Sequence, residues 1–149
     1  MGKKLKLLFL CTGNSCRSQM AEGWTRKLKN DRIEVFSAGV ETHGLNPNAV
    51  KVMAEAGIDI SNHRSKLIDK FKDIDLDVVV TVCGHAHETC PYFPPRCKVI
   101  HVGFDDPPLV AREIADKGAG EEEQLDCFRN VRDEIKNFVK NLPDNLDPA

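Results

Sequence analysis

Cys11 and Arg17, with five residues between them in Cys11-Thr12-Gly13-Asn14-Ser15-Cys16-Arg17-Ser18, are the pair whose types and spacing suggest chemistry. A thiolate attacks electrophilic centres, and a guanidinium forks two hydrogen bonds onto an oxyanion. Gly13 lets the backbone come close or take φ > 0. Asn14 can tie the loop through its amide, and the Ser18 hydroxyl can donate to the thiolate. Taken bare, the same pattern is better read as a tight turn with a half-buried cysteine and an N-capping serine.

The flanking elements decide between these readings. Residues 6–10 form a short apolar run, as a buried strand would. Met20, Ala21, Trp24 and Leu28 recur at helical spacing and give the next segment one apolar face. A loop between strand and helix aims several backbone N–H groups and the positive end of a helix dipole at one spot. That spot suits a tetrahedral oxyanion and lowers a nearby thiol's pKa. With Gly, Asn and Ser inside the loop, the catalytic reading is the stronger.

Further strands are expected at residues 33–37, 76–82 and 98–102. Asn46 caps a helix that Pro47 begins, with Ala49, Val50, Met53 and Ala56 as its apolar stripe and Gly57 as its stop. Residues 61–72 are expected to hold a short helix. Residues 111–123 read as a weak helix and then a flexible loop. Residues 125–142 read as a helix with Phe128, Val131, Ile135, Phe138 and Val139 facing inward. Alternating strands and helices imply an α/β fold, a four-stranded parallel sheet with helices on both faces and sites at the strands' C-terminal ends. Cys11, Cys83 and the Asp105–Asp106 pair stand at three such ends, so one shared site is expected.

At 149 residues the chain has room for one domain, 1–149, with a proper core. A net charge of −2 gives no electrostatic case for nucleic acid or an anionic membrane. No apolar run is long enough to span a bilayer, and the start Met1-Gly2-Lys3-Lys4 lacks a signal-peptide core. A cytoplasmic protein is therefore expected. In that reducing compartment Cys11, Cys16, Cys83, Cys90, Cys97 and Cys127 are catalytic, metal-binding or core thiols rather than cross-links. Cys16 is near enough to Cys11 to bond it under oxidation, while Cys97 and Cys127 pack as small hydrophobes.

Cys83 and Cys90 bracket Gly84-His85-Ala86-His87-Glu88-Thr89. On a helix their Cα atoms would stand about 10.5 Å apart. A disulfide needs them within about 7 Å. A bond between them requires the segment to melt or loop out, which marks a redox switch. Gly84, Pro91, Pro94 and Pro95 make such remodelling easy. Cys83, His85, His87 and Cys90 are also four zinc-competent ligands within eight residues. The two histidines fall on different sides of a helix, and no second cysteine cluster completes a finger, so zinc is the lesser reading.

CTGNSCRSQMAEG resembles the anion loop of the low-molecular-weight tyrosine phosphatase fold, especially that of the thioredoxin-coupled arsenate reductases built on it. The resemblance continues through VFSAGVETHGLNPNAV, GIDISNHRS, VTVCGHAHETCPYFPP and HVGFDDPP, covering most of residues 4–108 and the final helix. It implies reduction of arsenate by a relay from Cys11 to Cys83 to Cys90, with thioredoxin supplying electrons and no bound cofactor or metal. It further implies that Thr12, Gly13, Asn14, Ser15, Cys16, Arg17 and Ser18 hold arsenate, or phosphate and sulfate as analogues, in a monomer. It makes Asp106 the general acid, because Pro107 biases the preceding residue to an extended conformation. A bare Asp-Pro is usually a turn, and Asp105 is the competing candidate.

Some relatives bind potassium through residues matching Asn14, Glu22, Ser37 and position 66. Here that position is Lys66, whose ammonium would replace the ion. Two other functions stay open. A tyrosine phosphatase needs Cys11, Arg17 and Asp106 but neither Cys83 nor Cys90, and it would place a tyrosine where Pro108 stands. A thiol-based metal or metalloid sensor would use Cys83, His85, His87 and Cys90. His43, His63 and His101 read as loop or core histidines, with His63 able to order the site's rim.

Overall fold

Residues 3–83 and 97–146 are described by the computed structural model. Cys90, His85, His87 and the prolines at 91, 94 and 95 lie outside them. Leu5–Cys11 forms β1, Ile33–Gly39 β2, Val78–Thr81 β3 and Lys98–His101 β4. All pair in parallel in the order β2-β1-β3-β4. The register sets Leu8 opposite Phe36 and Val79, and Cys11 opposite Gly39. Leu7, Leu8, Phe9 and Leu10 are all wholly buried. Successive strand residues point to opposite faces, so both faces of β1 are covered.

The helices explain that coverage. Arg17–Lys29 forms α1, Pro47–Glu55 α2, Pro107–Asp116 α3 and Glu121–Lys140 α4. Ser37 of β2 turns towards Glu22 of α1. Its neighbour Phe36 therefore faces the other way, and its ring meets Phe71 at 5.3 Å between centroids. Phe71 belongs to a short 3-10 turn, Ile68–Phe71. That turn is all the helix residues 61–72 contain, since Asp59 and Ser61 spend their side chains on a local turn instead.

Asn46 caps α2 as expected, its Oδ1 accepting from the Asn48 and Ala49 amides at 2.8 and 3.2 Å. Gly57, at φ +83°, follows the helix end. The buried stripe of α2 is Ala49, Val52 and Met53, whereas Ala56 is exposed. In α1, Met20, Ala21 and Trp24 are buried, but Leu28 in the last turn is 38% exposed. Leu125, Phe128, Val131, Ile135 and Val139 line the inward face of α4, with Phe138 only partly buried. Fully burying Phe128 or Ile135 contributes about 1.5–3 kcal/mol each.

The clearest departure is at residues 109–124. The expected helix is present as part of α3, but a tight turn and the start of α4 stand where a flexible loop was expected. Pro107 starts α3 early, and Gly118, at φ +95°, turns the chain. Glu121, Glu122 and Glu123 occupy the first turn of α4, where carboxylates suit the helix dipole. No described helix is long and apolar enough to cross a membrane.

Candidate active site

β1 ends at Cys11, and α1 begins at Arg17 with Cys16 in the N-cap position. No side chain caps α1, and its first turn carries no acidic residue. The N-capping serine of the tight-turn alternative is thus not found: Ser18 lies inside the helix. Its backbone N–H instead supports Cys11. The first-turn amides keep their capacity for an anion.

The loop's own carbonyls are turned away and satisfied from behind. Val40 N–H donates to Cys11 O at 3.2 Å, Glu41 N–H to Thr12 O at 2.9 Å and His43 N–H to Gly13 O at 3.0 Å. Asn46 N–H donates to Ser15 O at 2.9 Å, and Ser65 Oγ to Gly13 O at 2.7 Å. Binding the carbonyls outward is what lets successive N–H groups face inward as an anion-binding concavity. Residues 40–46 do this work, and no pattern within the loop itself reveals it. A Cβ on Gly39 would strike Glu41 O and the Asn14 amide, so the close approach of the two segments requires glycine there. Gly13 serves the same need, because the His43 ring lies where its Cβ would stand.

The left-handed residue is Asn14, at φ +48°, rather than Gly13. Asparagine tolerates this region through its short polar side chain. Here that side chain is wholly buried and fully engaged. Its Nδ2 donates to Ser18 Oγ at 2.8 Å and Ser37 Oγ at 3.1 Å. Its Oδ1 accepts from Lys66 N–H at 2.8 Å and Gln19 Nε2 at 3.0 Å.

Beneath this lies a buried carboxylate. Glu22 accepts from Ser37 Oγ at 2.5 Å and Arg26 at 2.6 Å, with Lys66 Nζ and His63 Nε2 each 3.7 Å away. The ammonium therefore stands beside the carboxylate, where the position-66 comparison expects a cation. Burial holds the Lys66 ammonium below its usual range, and Glu22 opposes that. Burial lowers His63 in the same way, again against Glu22. Among the described residues no cluster could hold a metal ion.

Arg17 is 9% exposed and crosses to the far strand ends. Its Nη1 donates to Phe104 O at 3.0 Å, and its Nη2 lies 3.7 Å from Asp106 Oδ1. Its Nε is buried with no partner among the described residues. An unpaired buried donor costs about 1–3 kcal/mol, which an oxyanion on the loop would relieve. Asp106 precedes α3 in an extended conformation, φ −87° and ψ 102°, and faces the cleft. Asp105 is exposed and does not line it. The cleft has a volume of about 420 Å³ and is bounded by Cys11, Cys16, Arg17, His43, Asp106 and Arg112, among others.

Cys83, two residues past the end of β3, is buried and stands within hydrogen-bonding reach of Cys11. Thr12 Oγ1 lies 3.0 Å from Cys83 Sγ, a contact that sequence reading missed. Hydrogen bonding with Cys83, then burial, pushes the Cys11 thiol well above its ordinary range. Arg17 and the Ser18 N–H pull it down. The expected lowering is thus present but outweighed while both sulfurs stand side by side. Cys16 is pushed up as well, chiefly by burial and then by Asp106, so it remains a neutral thiol. Cys97 is buried, whereas Cys127 is only half-buried.

The family model described as "Low molecular weight phosphotyrosine protein phosphatase" matches residues 6–148. The chain is 54% identical over 134 residues to a Bacillus subtilis protein named arsenate reductase, covering 90% of this chain and 91% of that one. A solved structure titled "An arsenate reductase in the phosphate binding state" is 35% identical, with a TM-score of 0.72, covering 96% of this chain and 99% of that one. Another, of an arsenate reductase in an oxidized state, is 34% identical with a TM-score of 0.74, covering 95% and 98%.

Proposed function

The chain belongs to the low molecular weight phosphotyrosine protein phosphatase family, and we propose that within it this protein is an arsenate reductase working by a cysteine relay. The observation that carries this reading is the second thiol, Cys83, packed against the first at the base of the anion loop. A phosphatase returns its cysteine by water attack and has no use for a neighbouring thiol.

In the proposed reaction arsenate sits on the amides of residues 12–18 and on Arg17. The Cys11 thiolate attacks arsenic while Asp106 protonates the departing oxygen, giving a thiol–arsenate adduct and water. Cys83 then attacks Cys11 Sγ. The S–S bond forms, the S–As bond breaks, and its electron pair reduces As(V) to As(III), which leaves as arsenite. Cys90 attacks Cys83, freeing Cys11 and leaving a Cys83–Cys90 disulfide. A dithiol protein of the thioredoxin class resets that disulfide, so electrons enter through thiols and no bound cofactor is needed. The chain acts as a single-domain monomer in a reducing cytoplasm.

Thr12 has a defined part in this scheme. Its hydroxyl, donating to Cys83 Sγ, stabilises the thiolate that must attack second. Arsenate-dependent NADPH consumption, coupled through thioredoxin and its reductase, tests the proposal. Wild type should turn over, and Cys11→Ser, Cys83→Ser and Cys90→Ser should each abolish turnover. Loss in the Cys11 variant alone would leave an anion-binding nucleophile and remove the relay.

A further inference from the structure

The helix α3 is long for a connector and is not used by the chemistry above, except for Asp106 before its first turn. Its buried face is Pro107 and Ala111, four residues apart, where it packs on α4. The next face around the helix is Pro108 and Arg112, again four residues apart, and both line the cleft. Anchoring one face thus fixes where the other points.

Arg112 is exposed and makes no hydrogen bond or ion pair among the described residues, although Asp116 lies one turn along the same helix. Arg129 and Arg132 on α4 behave differently. Arg129 is held by Glu55, Glu122 and Asp126, and Arg132 by Glu55 and Asp133. Arg112 is therefore a guanidinium without a partner among the described residues, on the wall of a cleft that a second, Arg17, also lines. Asp106, the carboxylate among the cleft's described lining, is already 3.7 Å from Arg17 Nη2.

We propose that Arg112 captures the substrate oxyanion at the cleft mouth. The inference rests on the oxyanion-reductase reading and deepens it. An inorganic dianion exposes charge on every side, so a guanidinium at the mouth can hold it as Arg17 takes the inner oxygens. In a chain of net charge −2, a local pair of cations is also what draws an anion to this end of the sheet.

The test compares wild type, Arg112→Gln and Arg112→Lys in two measurements: inorganic phosphate affinity by calorimetry, and steady-state arsenate reduction. Arg112→Gln should weaken phosphate about five- to tenfold and raise the arsenate KM similarly, with kcat within about twofold of wild type. Arg112→Lys should recover most of the loss. The difference between wild type and Arg112→Gln should shrink at roughly 0.5 M sodium chloride, where the Debye length is about 4 Å. Phosphate affinity and KM within twofold of wild type in Arg112→Gln would overturn the assignment, as would a fall in kcat at unchanged KM. If wild type binds phosphate through Arg112 but reduces no arsenate, the reductase reading fails and the anion-capture role stands. If it reduces arsenate with KM indifferent to residue 112, the reverse holds.

Discussion

Replacing Asn14 by alanine should loosen the anion loop more than any other single change of one buried polar side chain. Asn14 is wholly buried and adopts φ +48°. Removing Oδ1 takes away the acceptor of the Lys66 N–H, an orphaned backbone donor worth about 1–3 kcal/mol. Ser18 and Ser37 each lose a donor, at about 0.5–1 kcal/mol apiece. Alanine in the left-handed region adds about 1 kcal/mol that asparagine largely avoids. The sum is about 3–6 kcal/mol, discounted to about 3 for relaxation of the loop. For a chain of this size that lowers Tm by roughly 6–12 °C. Urea and thermal unfolding followed by circular dichroism measure it. Asn14→Gly, which removes the same hydrogen bonds without the φ penalty, should recover about 1 kcal/mol. A loss below about 1 kcal/mol in Asn14→Ala, or no advantage of glycine over alanine, would refute the reasoning.

Two further outcomes follow from the site's electrostatics. Cys83 is the largest influence raising the Cys11 thiol, so Cys83→Ala should lower the pH at which Cys11 becomes reactive. Alkylation of Cys11 by iodoacetamide across pH, read by mass spectrometry, checks the sign; a shift to higher pH would contradict it. Lys66 Nζ lies 3.7 Å from Glu22 and supplies the cation beneath the loop. Potassium added in place of sodium at constant ionic strength should therefore leave Tm and turnover unchanged, and a saturable potassium effect would count against that role.

Much of this arrangement was legible in the sequence because local chemistry and topology agree there. An apolar run ending in Cys11, an asparagine cap before Pro47, and Val79 and Val80 in a doubly covered strand are each fixed by short-range pattern. So is the meeting of strand ends, since parallel sheets bring their C-terminal edges together. What the sequence hid depends on distant backbone. The carbonyls of Cys11, Thr12, Gly13 and Ser15 accept from amides of residues 40–46, and backbone groups carry no residue-type signature. The left-handed position fell on Asn14 although a glycine precedes it, because the Asn14 side chain ties together four partners. Leu28 was assigned to the core by period alone, but α1 outlasts the surface it packs on. The acidic run 121–123 suggested a loop, whereas carboxylates in a first turn favour a helix start. The Cys11 thiol was expected low from its loop and is instead raised, because the partner that raises it stands seventy-two positions along the chain and shows no local trace.

The relay is tested most directly by one turnover without its last thiol. Cys90→Ser, reduced and then given arsenate with no thioredoxin present, should release one arsenite per protein and stop. Mass spectrometry should then find a disulfide joining Cys11 to Cys83. Arsenite release with both of those thiols still free, or no release although arsenate binds, would contradict a direct sulfur-to-sulfur step between them.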